Sequence, residues 1–284
     1  MRTSTAFLFS TFVLTGASLF AADTDPKAGV ADATKKLADL ASYAWKTTTR
    51  NQGGGAFGGN SSVRGKAEKG GYTWVSSSSP QPTLEFARKE GKAAVLLEDT
   101  WMTLDQASAR RASGSRNAGP FGGGFNEPAI TDFKLPTAQV QELLTRLTNF
   151  KREGEVVTAD LPAERVSELM NPAGGRGGRG GARGGFGGPL QDPKGTVIFQ
   201  LKDGLLAEYI VTLSGTREIR GNTDQISRTT TTIFSDIGTT KIALAADAKE
   251  IVDTLVAGGT PNVFVPEPGF KKLFNGHDLA GWAG

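Results

Sequence analysis

The apolar residues of this chain fall into two alternating kinds of rhythm, and the rhythm assigns most of its elements. From Lys27 to Ala41, Val30, Ala33, Leu37 and Leu40 recur at helical spacing and predict an amphipathic helix. Directly after it, Tyr43, Trp45, Thr47 and Thr49 alternate with other residues, which predicts a strand. Val63–Lys69 and Tyr72–Ser76 read as a hairpin turning at Gly70-Gly71. Leu84–Arg88 and Ala93–Leu97 read as a second, turning at Glu90-Gly91, and Trp101–Leu104 continues the meander.

Two helices then interrupt the strands. Val140, Leu143, Leu144 and Leu147 form one stripe behind the start signal Pro136-Thr137. Pro162–Met170 forms the second helix, with Asp160 as its candidate cap and Pro162 in the tolerated first turn. Strands resume at Thr196–Leu201 and Leu205–Leu213, around the hairpin turn Lys202-Asp203-Gly204. Leu205, Ala207, Tyr209, Val211 and Leu213 are expected on one face. The threonine-rich run Ile226–Ile237 is a further strand, and Ala246–Val256 closes the sequence of elements as a helix burying Ile251, Val252, Leu255 and Val256. Strands and helices segregated in this way predict an α+β fold with an antiparallel sheet.

Four low-complexity stretches punctuate these elements. Gly53–Gly59, Ser113–Phe125 and Gly174–Gly188 are glycine-rich and read as loops, whereas Pro261–Pro268 carries three prolines and reads as a stiff linker. The expected domains are therefore a leader over 1–22, an α+β unit over 23–259, a proline-rich linker over 260–268 and the start of another unit over 269–284.

The leader sets the compartment. Arg2 precedes an apolar run through Phe20, then the small residues Ala21 and Ala22, then Asp23 and Asp25. That order is a secretory signal peptide and predicts a periplasmic or secreted protein; an uncleaved signal anchor is the alternative. The run is too short and too broken by Ser and Thr for a comfortable span, so no transmembrane segment is expected after cleavage. With 0 Cys there is no disulfide framework, thiolate nucleophile or lipid-modified cysteine. The 32 basic and 29 acidic residues nearly cancel and are mixed along the chain, which gives little attraction to nucleic acid.

Catalytic chemistry is scarce. His277 is the single histidine and sits beyond the linker, which excludes a Ser-His-Asp triad and leaves no metal-ligand spacing. Glu98-Asp99 and Asp203 are turn acids, and turn acids are ordinarily solvated turn formers rather than a carboxylate pair facing across a cleft. No catalytic, metal-binding or cofactor residue is assigned. Arg176, Arg179 and Arg183, with Phe186, have the look of an RGG box, but three arginines give only salt-sensitive attraction, and a solvated loop is the better reading. An acidic glycan or cell-envelope anion is a conceivable partner of that segment.

The aromatic and branched residues of the strands supply the binding hypothesis. Trp45, Tyr72, Trp74, Phe86, Leu97, Phe199, Leu201, Tyr209 and Val211, with Val95, are the candidate lining of an apolar ligand pocket on a concave sheet. The same residue types make an ordinary packed core if helices fill that face.

Two resemblances extend this. The aromatic strand at Tyr43 and Trp45, the hairpin TLEFARKEGKAAVLLEDTWMTL and the ending IFSDIGTTKIALAADAKEI together make the region over 23–259 resemble the lipoprotein-carrier (LolA-like) family. The resemblance implies a curved antiparallel sheet, a half-barrel, covered by helices, and a lipid or other apolar small molecule as ligand. The three glycine-rich loops depart from that family. Separately, Phe270, Leu273, Phe274, Asn275, Gly276, Asp278, Leu279, Gly281 and Trp282 are similar to the opening strand of the 3-keto-disaccharide hydrolase family, whose jelly roll acts on sugars. That similarity implies a truncated start of a sugar-active domain, since one strand cannot fold alone, and a glycan as a further partner. The expected function is a non-catalytic exported binding module. The alternative is an accessory domain of a secreted sugar hydrolase, with an RGG-type nucleic-acid binder as a weaker one.

Overall fold

The computed structural model describes residues 25–53, 60–78, 84–97, 99–114, 130–170, 189–219 and 221–261. Everything expected of the leader, the glycine-rich loops' interiors, Glu98, Arg176, Arg179, Arg183, Phe186, His277 and the sugar-hydrolase-like segment lies outside these residues.

The strands are β1 (Ser42–Gln52), β2 (Ser61–Glu68), β3 (Thr73–Ser78), β4 (Leu84–Lys89), β5 (Lys92–Leu97), β6 (Thr100–Thr103), β7 (Thr148–Glu153), β8 (Val156–Leu161), β9 (Gln191–Lys202), β10 (Leu205–Ile219) and β11 (Asn222–Ser235). They form one antiparallel sheet of 11 strands in the order β6-β5-β4-β3-β2-β1-β11-β10-β9-β8-β7. Two meanders, β1–β6 and β7–β11, are thus joined along the long pairing of β1 with β11, from Ala44↔Ser235 to Gln52↔Ser227. The sheet is open and curved into a half-barrel, as expected of the α+β class.

The described helices are α1 (Pro26–Asp39), α2 (Leu104–Gly114), α3 (Pro136–Leu144), α4 (Ala163–Met170) and α5 (Ala246–Val256). Asp25 caps α1 by accepting from the Lys27 amide at 3.1 Å, and Pro26 occupies the first turn. Its stripe Val30, Ala33, Thr34 and Leu37 is buried, and the Thr34 hydroxyl donates to the Val30 carbonyl at 2.7 Å. The helices α1, α3 and α4 pack on the inner side of the sheet, and α5 packs behind β4–β6 on the outer side. Ala87 and Ala94, both 0 % exposed, let α5 approach the sheet closely through Ala248, Ile251 and Val252.

Several expectations are corrected. The hairpin β7–β8, turning at Gly154 with φ of 62°, and the helix α2 were not anticipated. Asp160 lies in β8, where its carboxylate accepts from Asn149 Nδ2 at 3.0 Å, so it does not cap α4. Leu147 is buried but follows α3 rather than belonging to it. In β10 a bulge between Leu206 and Glu208 shifts the parity, so that Leu206 rather than Leu205 or Ala207 faces inward beside Tyr209. The turn at Asp203-Gly204 has φ of 53° and 74°, the doubly positive geometry of a tight hairpin, and the acid there is accounted for by the turn.

Candidate functional site

Register assigns every inner-facing side chain to a row running across the strands. One row is Phe234, Trp45, Gly65, Val75, Phe86, Val95 and Met102. Its six side chains are at most 6 % exposed. Trp45 stacks on Phe133 at 6.3 Å between ring centroids, Phe86 meets Phe133 edge-on at 5.4 Å, and Tyr43 touches both Trp45 and Phe234. Gly65 is dictated by this packing, since a Cβ there would lie 2.0 Å from a Trp45 ring carbon.

The covering segment is pinned by hydroxyl and guanidinium bonds. Tyr43 Oη and Thr137 Oγ1 share a hydrogen bond at 3.1 Å, Tyr209 Oη donates to Gln139 Oε1 at 3.4 Å, and Arg88 Nη1 donates to the Phe133 carbonyl at 2.9 Å. Burial pushes the phenols of Tyr43 and Tyr209 above their ordinary range, so both stay neutral.

The next row, two residues further along each strand, is built differently. It runs Tyr209, Thr232, Thr47, Val63, Ser77 and Leu84, and Leu97 on β5 adjoins it. Beyond the buried pair Tyr209 and Thr232, the side chains of Thr47, Val63, Ser77, Leu84 and Leu97 are only half-buried. Val63, Leu84 and Leu97 touch the core on one side. One step further, Val211, Thr230 and Thr49 are half-buried as well. Paired hydroxyls cross the strands here, Thr47 with Thr232 at 2.8 Å and Thr49 with Thr230 at 3.3 Å, so their polar groups are satisfied. Where the first row carries Trp, Phe and Met, this row carries Thr, Val, Ser and Leu, and these smaller side chains are left part-exposed on the inner side of the half-barrel.

The nine sequence-predicted pocket residues separate into three groups. Leu97 and Val211 lie in the half-open region. Trp45, Phe86, Phe199, Leu201 and Tyr209 face the same side but are buried in the adjoining core. Tyr72 and Trp74 are on the outer face, because period-two alternation on β3 points Val75 inward. Tyr72 packs against α5 and donates to Asp253 Oδ1 at 2.5 Å, and Trp74 Nε1 donates to Glu85 Oε1 at 2.8 Å. The residues that sequence reasoning missed are Thr47, Val63, Ser77 and Leu84; only the register of the folded sheet aligns them.

Two surface concavities lie elsewhere. A groove of about 340 Å³ lies between α1 and α3, lined by Ala31, Thr34, Ala38 and Ala138 among others. Another of about 230 Å³ lies on the outer face over Lys46, Thr48, Arg50, Thr229, Thr231 and Ile233. Among the described residues no three His, Cys, Asp or Glu side chains cluster as metal ligands, and no helix is long and apolar enough to cross a membrane.

An α+β half-barrel with one packed and one half-open inner row is the class of structure these features define. No known family's sequence profile matches the chain, and no curated protein matches it in sequence. Among solved structures it is similar to the lipoprotein LppX of Mycobacterium tuberculosis, at 13 % identity over 78 % of this chain and 98 % of that one, with a TM-score of 0.41. It is also similar to LprF from Mycobacterium bovis (9 % identity, 78 % and 96 % covered, TM-score 0.37). A LolA superfamily protein from Nitrosomonas europaea is similar at 7 % identity, over 77 % and 94 % of the two chains, with a TM-score of 0.28. These values carry no correspondence between individual residues.

Proposed function

We propose that this protein is a non-catalytic binding module that holds a lipid or other apolar small molecule in the hollow of its half-barrel. The observation that carries the reading is the change between neighbouring rows. Side chains from Trp45 to Met102 are sealed, whereas Thr47, Val63, Ser77, Leu84 and Leu97 on the same strands and face are part-exposed apolar or methyl-bearing groups. A concave, mainly apolar surface with a few satisfied polar groups is the usual form of a small-molecule site. The order of residues over 1–22 supports export to the periplasm or beyond, where the module would work.

Native mass spectrometry of the exported protein, before and after incubation with a lipid extract, tests the proposal. A co-purifying or acquired apolar mass is expected. A clean apo mass with no uptake would leave only a packed scaffold.

The motif from Phe270 to Trp282 favours a second, compatible reading, in which the module is the accessory part of a secreted sugar hydrolase and a glycan is the whole protein's partner. Gene sequence downstream of codon 284 tests it: some two hundred β-patterned residues support the reading, and an immediate stop opposes it.

A further inference from the structure

The inner face changes character along the strands. It begins with the sealed aromatic row, passes through the half-open row of threonines and aliphatics, and on β11 then reaches Arg228. Arg228 stands one inward step beyond Thr230 on β11, opposite Asn51 on β1 and Leu213 on β10. It is half-buried. Its Nε donates to Asn51 Oδ1 at 3.0 Å and its Nη1 donates to the Leu169 carbonyl, in the last turn of α4, at 3.1 Å. Both acceptors are neutral. A guanidinium has five N–H donors; among the described residues Arg228 commits two of them, and its charge meets no carboxylate there. Arg217, 5 % exposed, lines the same small cavity of about 30 Å³, which also touches Asn51, Ile226 and Met170. Asp224 is the cross-strand neighbour of Arg217.

We propose that this end of the hollow takes the anionic head group, a carboxylate or phosphate, of an amphiphile whose chain lies along the half-open row. The inference rests on the reading of the hollow as a ligand site and adds the class of ligand. A planar guanidinium matches a carboxylate or phosphate bidentately, and such charge-assisted bonds are the strong ones. The row from Thr232 to Leu97 spans six neighbouring strands, on the order of 24 Å along the sheet at strand spacing, which is the length scale of a long acyl chain. The threonine methyls and the aliphatic side chains face that chain. Arg228 lies beyond that row, two inward steps along β11 from Thr232.

The test compares dodecanoate, dodecanol and acetate on the full-length protein by isothermal titration calorimetry. Dodecanoate is expected to bind about tenfold or more tightly than dodecanol, the contribution of one charge-assisted pair. Arg228→Gln should abolish most of that preference and leave dodecanol binding unchanged, which also reports that the variant is folded. Raising salt from about 50 mM to about 500 mM in the native protein should weaken dodecanoate alone, a check that needs no variant. Equal affinity for dodecanoate and dodecanol overturns the head-group site while leaving the hollow intact. Acetate or inorganic phosphate binding as tightly as dodecanoate overturns the amphiphile in favour of a free anion. Failure of both twelve-carbon compounds to bind overturns the hollow itself.

Discussion

Two rows of the same sheet, about 7 Å apart along the strands, differ in what covers them and in what they carry. The first, from Phe234 through Trp45 and Phe86 to Met102, interlocks with Phe133 and is closed by Ile130 and α3. The second, from Thr47 through Val63, Ser77 and Leu84 to Leu97, has the same strand order and faces the same way but is left part-exposed. The curvature of the sheet is common to both, so curvature alone does not decide exposure. Side-chain volume and the placement of the covering segment decide which stretch of a concave face is sealed core and which stays part-exposed.

Truncating one member of each row breaks or sustains this contrast most directly. Phe86→Ala, at a position 3 % exposed, is expected to cost about 3–5 kcal/mol of stability. Leu84→Ala, half-buried one step away, should cost about 1 kcal/mol, because much of that side chain is already hydrated. Urea unfolding midpoints of the two variants measure this. Equal losses would mean that the second row is core as well. Gly65→Ala comes next. Its new methyl meets a Trp45 ring held between Tyr43 and Phe133, so a loss of about 1–3 kcal/mol is expected from overpacking in the sealed row. Adding bulk to the open row should act on binding instead. Ser77→Phe is expected to change stability by less than about 1 kcal/mol and to lower the uptake of a twelve-carbon ligand by about tenfold or more. Calorimetric titration reads the second quantity, and unchanged affinity would place the ligand elsewhere.

How far these rows were legible in the sequence follows from the range of each signal. Period-two alternation is local, and it identified β1–β5 and the face of Trp45, Phe86, Val95 and Phe199. Aromatic type alone puts Tyr72 and Trp74 with them. Parity on β3 instead makes Val75 the inward residue and gives the two aromatics to the outer face. The β10 bulge defeats strict alternation in the same way, since one inserted residue reverses every side chain behind it. The hairpin β7–β8 escaped notice because β7 is an exposed edge strand of polar residues with almost no apolar pattern to read. The half-open row was illegible for a different reason. Thr47, Val63, Ser77 and Leu84 are unremarkable in type, and only strand register, fixed by the whole meander, sets them side by side.

The smallest effect concerns the outer side of the same strands. The helix α5 backs β4–β6 and therefore lies behind both rows. It is held by Asp253, whose carboxylate accepts from Lys249 Nζ and Tyr72 Oη at 2.5 Å each and pairs with Lys89 at 3.5 Å. The hydrogen bond from Lys249, then that from Tyr72, lowers the Asp253 pKa from 3.8 to about 2. A carboxyl depressed on folding contributes stability that is complete above its unfolded value and is lost as pH falls through the folded one. The clamp should therefore be intact above pH 3.8 and disappear on the way down to about 2. Hydrogen exchange of the amides over 246–256 is expected to quicken across that window while those of β1 and β11 stay protected, and Asp253→Asn should reproduce the faster exchange at neutral pH. Simultaneous loss of protection in α5 and in the aromatic row would show that the sealed row owes its closure to α5 rather than to Phe133 and α3.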